Sequence, residues 1–293
     1  MSLMLVDIAT VYYRAYYSQP EWTAPNGQAA NAIRGSLDAL SYFIDKYQPQ
    51  ELVTTWDLSW RPEWRVELLP TYKTARVADA DEEQMPDTLS DQVDLLRSIL
   101  QEWQIPCVGL PDYESDDVIA HYARTADQQV LVVTGDRDLF QLVNDALPSK
   151  VLYIGTGISK HTTVDGSYIF EKYGITAEQY AEFSVLRGDA SDGLPGVAGI
   201  GEKTAARLLQ EFGDIDSLIA AAKAQDSRIR PKITENLITS LDYLERAKQV
   251  VILNRPLELP PTASNWRKNA ESPTAIELGL KRHQNAWWSA IDY

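Results

Sequence analysis

Three short apolar runs, each ended by an acid, constrain the fold of this chain more than any other feature. They are "LMLVD" closing at Asp7, "ELVTTWD" closing at Asp57, and "QVLVVTGDRD" closing at Asp136 and Asp138. Runs that are continuous rather than alternating predict strands buried on both faces, as in a parallel sheet. The stretches "AANAIRGSLDALSYFIDKY", "SDQVDLLRSILQEW" and "DDVIAHYARTA" that separate them read as helices. Strands alternating with helices predict an α/β, doubly wound sheet, and ligands of such sheets sit outside the carboxyl ends of the strands. Each of the three strands delivers an acid to that one edge.

Two further acid groups fit the same edge. "DYESDDVIAHYA" opens a helix with Glu114, Asp116 and Asp117 in its first turn. Complementing a helix dipole is worth from a few tenths of a kcal/mol to about 1 kcal/mol. That accounts for one or two acids, not for three beside a strand-end set. "LRGDASDGLPG" supplies Asp189 and Asp192, which one helical turn would project the same way, although its residues also suit a surface turn. These nine carboxylates, gathered in a low dielectric, cannot all be ionised without cations. His121, His161 and His283 are scattered and Cys107 stands alone, so no zinc-type set exists. Oxygen-only donors suit Mg²⁺ or Mn²⁺, and two such ions about 3.5–4 Å apart form an arrangement that cleaves phosphodiesters.

The formal net charge is −15, which taken alone argues against a polyanionic partner. Nine gathered acids change that argument, because the charge is then local rather than spread over the surface. The rest of the composition, 44% hydrophobic and 24% charged, is that of an ordinary globular protein. No apolar run approaches a membrane span, no basic segment precedes Asp7, and the lone cysteine is compatible with a reducing compartment. These features lead to the expectation of a cytoplasmic protein with no membrane partner.

A second motif points to nucleic acid. "LPGVAGIGEKTAARLLQEFG" sets Gly196, Gly199 and Gly201 before an amphipathic run, with Lys203 and Thr204 at its start. The glycines permit a tight turn and close backbone approach, and the helix that follows offers free N–H groups to a phosphate. This is the helix–hairpin–helix pattern, which grips a backbone without reading sequence.

In combination, "VD…YRAYY", "WD…WRVE…YKTAR", "YESDDVIA", "VTGDRDLFQLV" and "LRGDASDGLPGVAGIGEKTA" resemble the flap endonuclease/5′→3′ exonuclease family. That family includes the 5′-nuclease domain of bacterial DNA polymerase I and its stand-alone relatives. The resemblance implies a PIN/flap-nuclease-like sheet, mostly parallel and flanked by helices, with a helical arch over about residues 60–90. It assigns Asp7, Asp57, Glu114 and Asp116 to a first metal and Asp138, Asp189 and Asp192 to a second. Asp136 would lie between them, and Asp117 close by or acting through water. Tyr13 takes the family position of an aromatic that stacks on a base, and Arg14 and Arg65 join it as DNA contacts. K⁺ at the hairpin loop, held by main-chain carbonyls, follows from the same likeness. The family's Gly and small polar residue after the first acid are Ile8 and Ala9 here, and its "EADD" reads "ESDD".

Residues 60–90 also carry Arg61, Arg65, Lys73 and Arg76, a positive cluster on an acidic chain. Lys73 and Arg76, three apart, are expected to share a helix face and act on the scissile phosphate. Trp60 and Trp64, four apart, would share another, packed on the domain or stacked on bases. The expected organisation is a nuclease core over 1–185, a helix–hairpin–helix module over 186–260, and a tail over 261–293 that docks Trp287 and Trp288 on the body. The expected activity is a stand-alone, monomeric, metal-dependent 5′ nuclease. Its substrates would be flapped, nicked or free 5′ ends of DNA, including RNA primer–DNA hybrids, during replication and repair. The alternatives are a non-catalytic binder of branched DNA and an RNA-directed nuclease of the same fold.

Overall fold

The three apolar runs become neighbouring strands, and their register decides where the acids emerge. The computed structural model describes residues 2–77, 85–262 and 271–280. Strand β1 (Ser2–Asp7) lies at the centre of a six-stranded sheet, between β2 (Glu51–Thr55) and β4 (Gln129–Thr134). The order is β3-β2-β1-β4-β5-β6, with β3 at Cys107–Val108, β5 at Ser149–Tyr153 and β6 at Thr162–Val164. The first five pair in parallel, and β6 pairs antiparallel to β5. The parallel sheet expected from the runs is present, with three more strands than the sequence reading named. The chain moves outward from β1 to β3, then returns to β4 on the other side of β1. That reversal is the switch point at which doubly wound sheets bind ligands.

Alternate residues of one strand enter different cores, which explains why the runs are continuous. Leu3, Leu5, Val130, Val132 and Val151 face one side, while Met4, Val6, Leu131, Val133 and Leu152 face the other. Helices α1 (Ile8–Ser18), α2 (Asn31–Tyr47) and α4 (Asp87–Glu102) cover the second side. Helix α5 (Ser115–Thr125) and the helical module cover the first. That module comprises α6 (Gly166–Tyr173), α7 (Tyr180–Arg187), α8 (Glu202–Phe212), α9 (Ile215–Lys223), α10 (Pro231–Thr239) and α11 (Leu241–Val251). Leu208, Leu218, Leu237 and Leu244 of the module share one apolar core with the sheet's Leu3 and Val132.

Three local expectations are corrected. Between residues 60 and 77 the chain forms only a short helix, α3 (Glu63–Leu68), and a 3₁₀ turn at Thr74–Arg76. Residues 78–84 of the expected arch lie outside the described residues. Trp60 precedes α3, so it does not share a helix face with Trp64. Lys73 and Arg76 do not share one either, because Lys73 takes a left-handed conformation (φ 49°) just before the 3₁₀ turn. Of the expected tail, α12 (Pro273–Glu277) sits beside α4 with Ala275 buried, while Trp287 and Trp288 lie outside the described residues.

Candidate active site

Each acid is positioned by the end of an element. Asp7 closes β1 and caps α1, accepting from the Thr10 amide at 3.3 Å and from the Thr10 hydroxyl. The Thr134 hydroxyl at the end of β4 donates to Asp7 at 2.8 Å and accepts from the Asp136 amide at 2.9 Å. That single hydroxyl ties the two strand-end loops across the switch point. Asp136 in turn accepts from the Asp138 amide at 2.8 Å, and both aspartates line one cleft. Asp57, two residues past β2, accepts from the Ser115 amide at 2.7 Å and so docks on the start of α5.

The third acid group meets cations. Glu114 caps α5, receiving the Lys73 ammonium at 2.5 Å and the Tyr72 hydroxyl at 3.0 Å. Asp189 accepts from the Ser191 amide at 3.0 Å and lies 3.4 Å from Arg187, while Asp192 lies 3.0 Å from Arg76. The loops bearing these groups interlock through Gly193. A Cβ at Gly193 would stand 1.9 Å from the Thr71 carbonyl oxygen, and the Thr71 hydroxyl donates to the Gly193 carbonyl at 2.7 Å. The Lys73 amide also donates to the Asp192 carbonyl at 3.1 Å. "YKTAR" and "DASDG" are thus docked backbone to backbone, which brings Lys73 and Arg76 to the acid edge although they are far from it in sequence.

A cleft of about 300 Å³ is lined by Arg76, Asp136, Asp138, Asp189 and Asp192. A narrower recess joins Glu114 and Asp116 to Asp138 and Asp192. Lost hydration, then Asp136 and Asp7, raise the Asp116 carboxyl well above the ordinary aspartate value. Lost hydration, then Asp136, Asp192 and Asp189, do the same to Asp138. Asp136 and Asp192 are also raised, with burial the leading cause. Asp57 keeps a solvent-facing side, yet lost hydration and then Glu114 push its carboxyl up to about 7. Burial opposes charge on Lys73, but Glu114 outweighs it and holds the ammonium well above the usual lysine value. Arg76 is raised the same way, by Asp192 and Asp136 against burial.

Carboxyls raised by burial and mutual repulsion fit cations, which restore the charged form. The donors are hard oxygens, the set that suits Mg²⁺ or Mn²⁺. Among the described residues no three acid, histidine or cysteine side chains stand close enough together to hold one ion between them. The acids are instead spread over the cleft and the recess beside it, an arrangement that suits a cation retaining several of its waters.

Two sequence-derived assignments are corrected here. Arg65 is not a DNA contact: it is 2% exposed, and its guanidinium grips both oxygens of Asp117 at 2.7 and 2.8 Å. Asp117 is therefore engaged by an arginine rather than turned to the rim, and its other contact is the Glu114 amide at 3.1 Å. Tyr13 and Arg14 are half-buried on α1, close behind Asp7; Tyr13 packs against Tyr12, and Arg14 donates to the Gly155 carbonyl at 3.3 Å.

The hairpin lies between α7 and α8. Gly196 (φ 69°) is packed inward, where a Cβ would stand 2.6 Å from the Gly188 amide nitrogen. Gly199 (φ 77°) is exposed, although a Cβ there would meet the Ile233 side chain at 3.4 Å and that of Asn236 at 3.6 Å; Gly201 faces open space, and α8 starts with Lys203 exposed and no side-chain cap. Thr204 is half-buried one residue further on. Sequence reasoning missed the loop's supports: Asn236 donates to the Ala198 carbonyl at 2.6 Å, and the Tyr243 hydroxyl accepts from Gly196 and donates to Val185. It also passed over Tyr72 and Thr134, although both lay inside quoted motifs.

A parallel sheet with acids gathered at its switch point, joined to a helical hairpin module, defines a nuclease fold of the PIN/flap type. Residues 2–174 match the family model for the 5′-3′ exonuclease N-terminal resolvase-like domain, and residues 175–273 match that for the 5′-3′ exonuclease C-terminal SAM fold. The chain belongs to the 5′-3′ exonuclease family. It is 44% identical over 280 residues to a 5′-3′ exonuclease of Streptomyces coelicolor, covering 94% of this chain and 93% of that one. It is 38% identical over 308 residues to a 5′-3′ exonuclease of Mycobacterium tuberculosis, covering 97% of each. Among solved structures, the fold matches a T5 5′-exonuclease with bound zinc at a TM-score of 0.68 and 19% identity, over all of both chains.

Proposed function

We propose that the acid rim works as a divalent-metal site that hydrolyses DNA phosphodiesters at 5′ flaps, nicks and free 5′ ends. Five carboxyls raised by burial and repulsion at one sheet edge carry this reading. Mg²⁺ or Mn²⁺ bound there would polarise the phosphodiester and make a bound water more acidic. Asp7, Asp57, Glu114, Asp116, Asp136, Asp138, Asp189 and Asp192 would hold the ions, divided between two positions. Lys73 and Arg76 would offset the negative charge that grows on the phosphate as the bond breaks, an interaction strongest in the transition state. The exposed turn at Gly199 and Gly201 and the open start of α8 would hold the duplex backbone, with K⁺ at the loop.

In this reading the chain acts as a monomer in the cytoplasm, removing flaps and RNA primers during replication and repair. Among the described residues, no helix is long and apolar enough to cross a membrane. A binder of branched DNA would gain nothing from a rim of repelling carboxylates facing a polyanion. The test is a 5′-labelled flap duplex incubated with Mn²⁺, with a chelator control. Release of the flap with Mn²⁺ alone is expected, whereas an uncut but bound duplex would favour the binder.

A further inference from the structure

Arg65 and Asp117 are buried against each other at a point where they can govern a third residue. Both side chains are almost wholly out of solvent, and the guanidinium takes the two Asp117 oxygens in a fork. The same Arg65 Nη1 stands only 3.5 Å from Glu114 Oε1. Glu114 is held on its other side by Lys73 at 2.5 Å and Tyr72 at 3.0 Å. One buried cation therefore lies between two carboxylates, and the nearer one occupies its fork. With Asp117 neutralised, Glu114 would be the one anion left within salt-bridge reach of Arg65, among the contacts described. Its attraction would then compete directly with the Lys73 contact. Arg65 itself has little freedom: its Nε donates to the Val250 carbonyl of α11 at 3.3 Å, and its guanidinium lies 4.6 Å from the Trp64 ring centre.

Resting on the nuclease reading above, we propose that Arg65 and Asp117 are a positioning pair: by saturating each other they leave Glu114 to Lys73 and so fix Glu114 at the recess it shares with Asp116, Asp138 and Asp192. Neither touches DNA nor holds a metal ion. Asp117 keeps the arginine occupied, and Arg65 fixes the first turn of α5. Misplacing a reacting group by about 1 Å costs roughly 100-fold in rate, and that is the expected loss when either partner is altered.

The test is a double-mutant cycle on the full chain with Arg65→Lys, Asp117→Asn and the double variant. Each protein is assayed for single-turnover cleavage of a 5′-flap duplex with Mn²⁺, for equilibrium affinity for that duplex with Ca²⁺, and for Mn²⁺ binding from the free-ion paramagnetic signal. Thermal unfolding checks that each variant is folded. Each single change should slow cleavage about 100-fold, and the double variant should be no slower than the worse single to within about twofold, because both act through Glu114. Duplex affinity should stay within about twofold of wild type, the scatter expected of a site with no contact. Asp117→Asn should hold Mn²⁺ more nearly like wild type than like Asp138→Asn. Asp117→Glu, which keeps the charge facing Arg65, should recover most of the rate. Losses that multiply, a fall in duplex affinity matching the fall in rate, Mn²⁺ binding as weak as in Asp138→Asn, or no recovery with Asp117→Glu would each overturn the proposal. An inactive wild-type chain removes the nuclease reading together with this one, whereas an active wild type with fully active pair variants removes this one alone.

Discussion

Lys73 occupies a left-handed conformation (φ 49°), which costs a residue other than glycine about 1–2 kcal/mol. The cost is offset locally, since its amide bonds the Asp192 carbonyl and its ammonium sits on Glu114. Strain of this kind concentrates where a side chain must be aimed. Replacing Lys73 or Arg76 by Ala is expected to lower the single-turnover cleavage rate by roughly 10- to 1,000-fold, the range for losing one electrostatic stabiliser. Duplex affinity should fall much less, because each cation is one of several phosphate contacts. Equal losses in rate and affinity, measured at one salt concentration, would reduce the two to general attraction. The residue types at the rim were legible because acids at strand ends have no packing role. The aim of Lys73 was not, because a spacing of three suggests a shared helix face and nothing local marks a left-handed lysine. Arg65 misled for the opposite reason: an arginine among cations reads as a surface group until its buried partner is known.

At the scale of elements, the hairpin separates two uses of glycine. Gly196 lets the loop pack against Gly188, whereas Gly199 holds a positive φ at the exposed turn, where a side chain would be strained and would press on Ile233 and Asn236. Gly199→Val is therefore expected to weaken duplex binding by a similar factor for unrelated sequences, since backbone contacts carry no sequence information. Unchanged affinity for a nicked duplex in a folded variant would place the DNA elsewhere. The hairpin was readable from its glycines and the lysine after them. Its supports from Asn236 and Tyr243 were not, because they arrive from helices about 40 residues later through contacts that leave no local pattern. Likewise the short strand at Cys107–Val108 lacks the run length that marks a strand, and its pairing with Thr54 and Thr55 is what makes it one.

Across the whole molecule, the parallel sheet followed from runs that feed both cores, and the acid edge followed from the sheet. What could not be read was how the arch segment and the hairpin loop interlock at Thr71 and Gly193, a contact between residues over 100 positions apart. The gathered charge also sets a pH dependence. Asp57 is raised to about 7, and Asp116, Asp136, Asp138 and Asp192 are raised as well, against an unfolded aspartate value of about 3.9. Groups raised in the folded state contribute stability that is full below the unfolded value and lost as pH rises through the folded one. With chelator, the rim should therefore destabilise the protein increasingly as pH rises from about 4, through about 7 for Asp57. The gain in melting temperature on adding Mn²⁺ should grow over the same window, and a gain independent of pH would contradict this. The central claim, that these carboxylates serve catalysis by holding cations, is tested most directly by cleavage and binding of one 5′-flap duplex by wild type, Asp136→Asn and Asp192→Asn. Each variant is predicted to retain well under about a tenth of the wild-type single-turnover rate with Mn²⁺, since losing a metal clamp costs several kcal/mol. Each should also bind the duplex as tightly as wild type or more so, because a charge repelling phosphate has been removed. Turnover above that level in both variants, or a loss of binding equal to the loss of rate, would contradict the account.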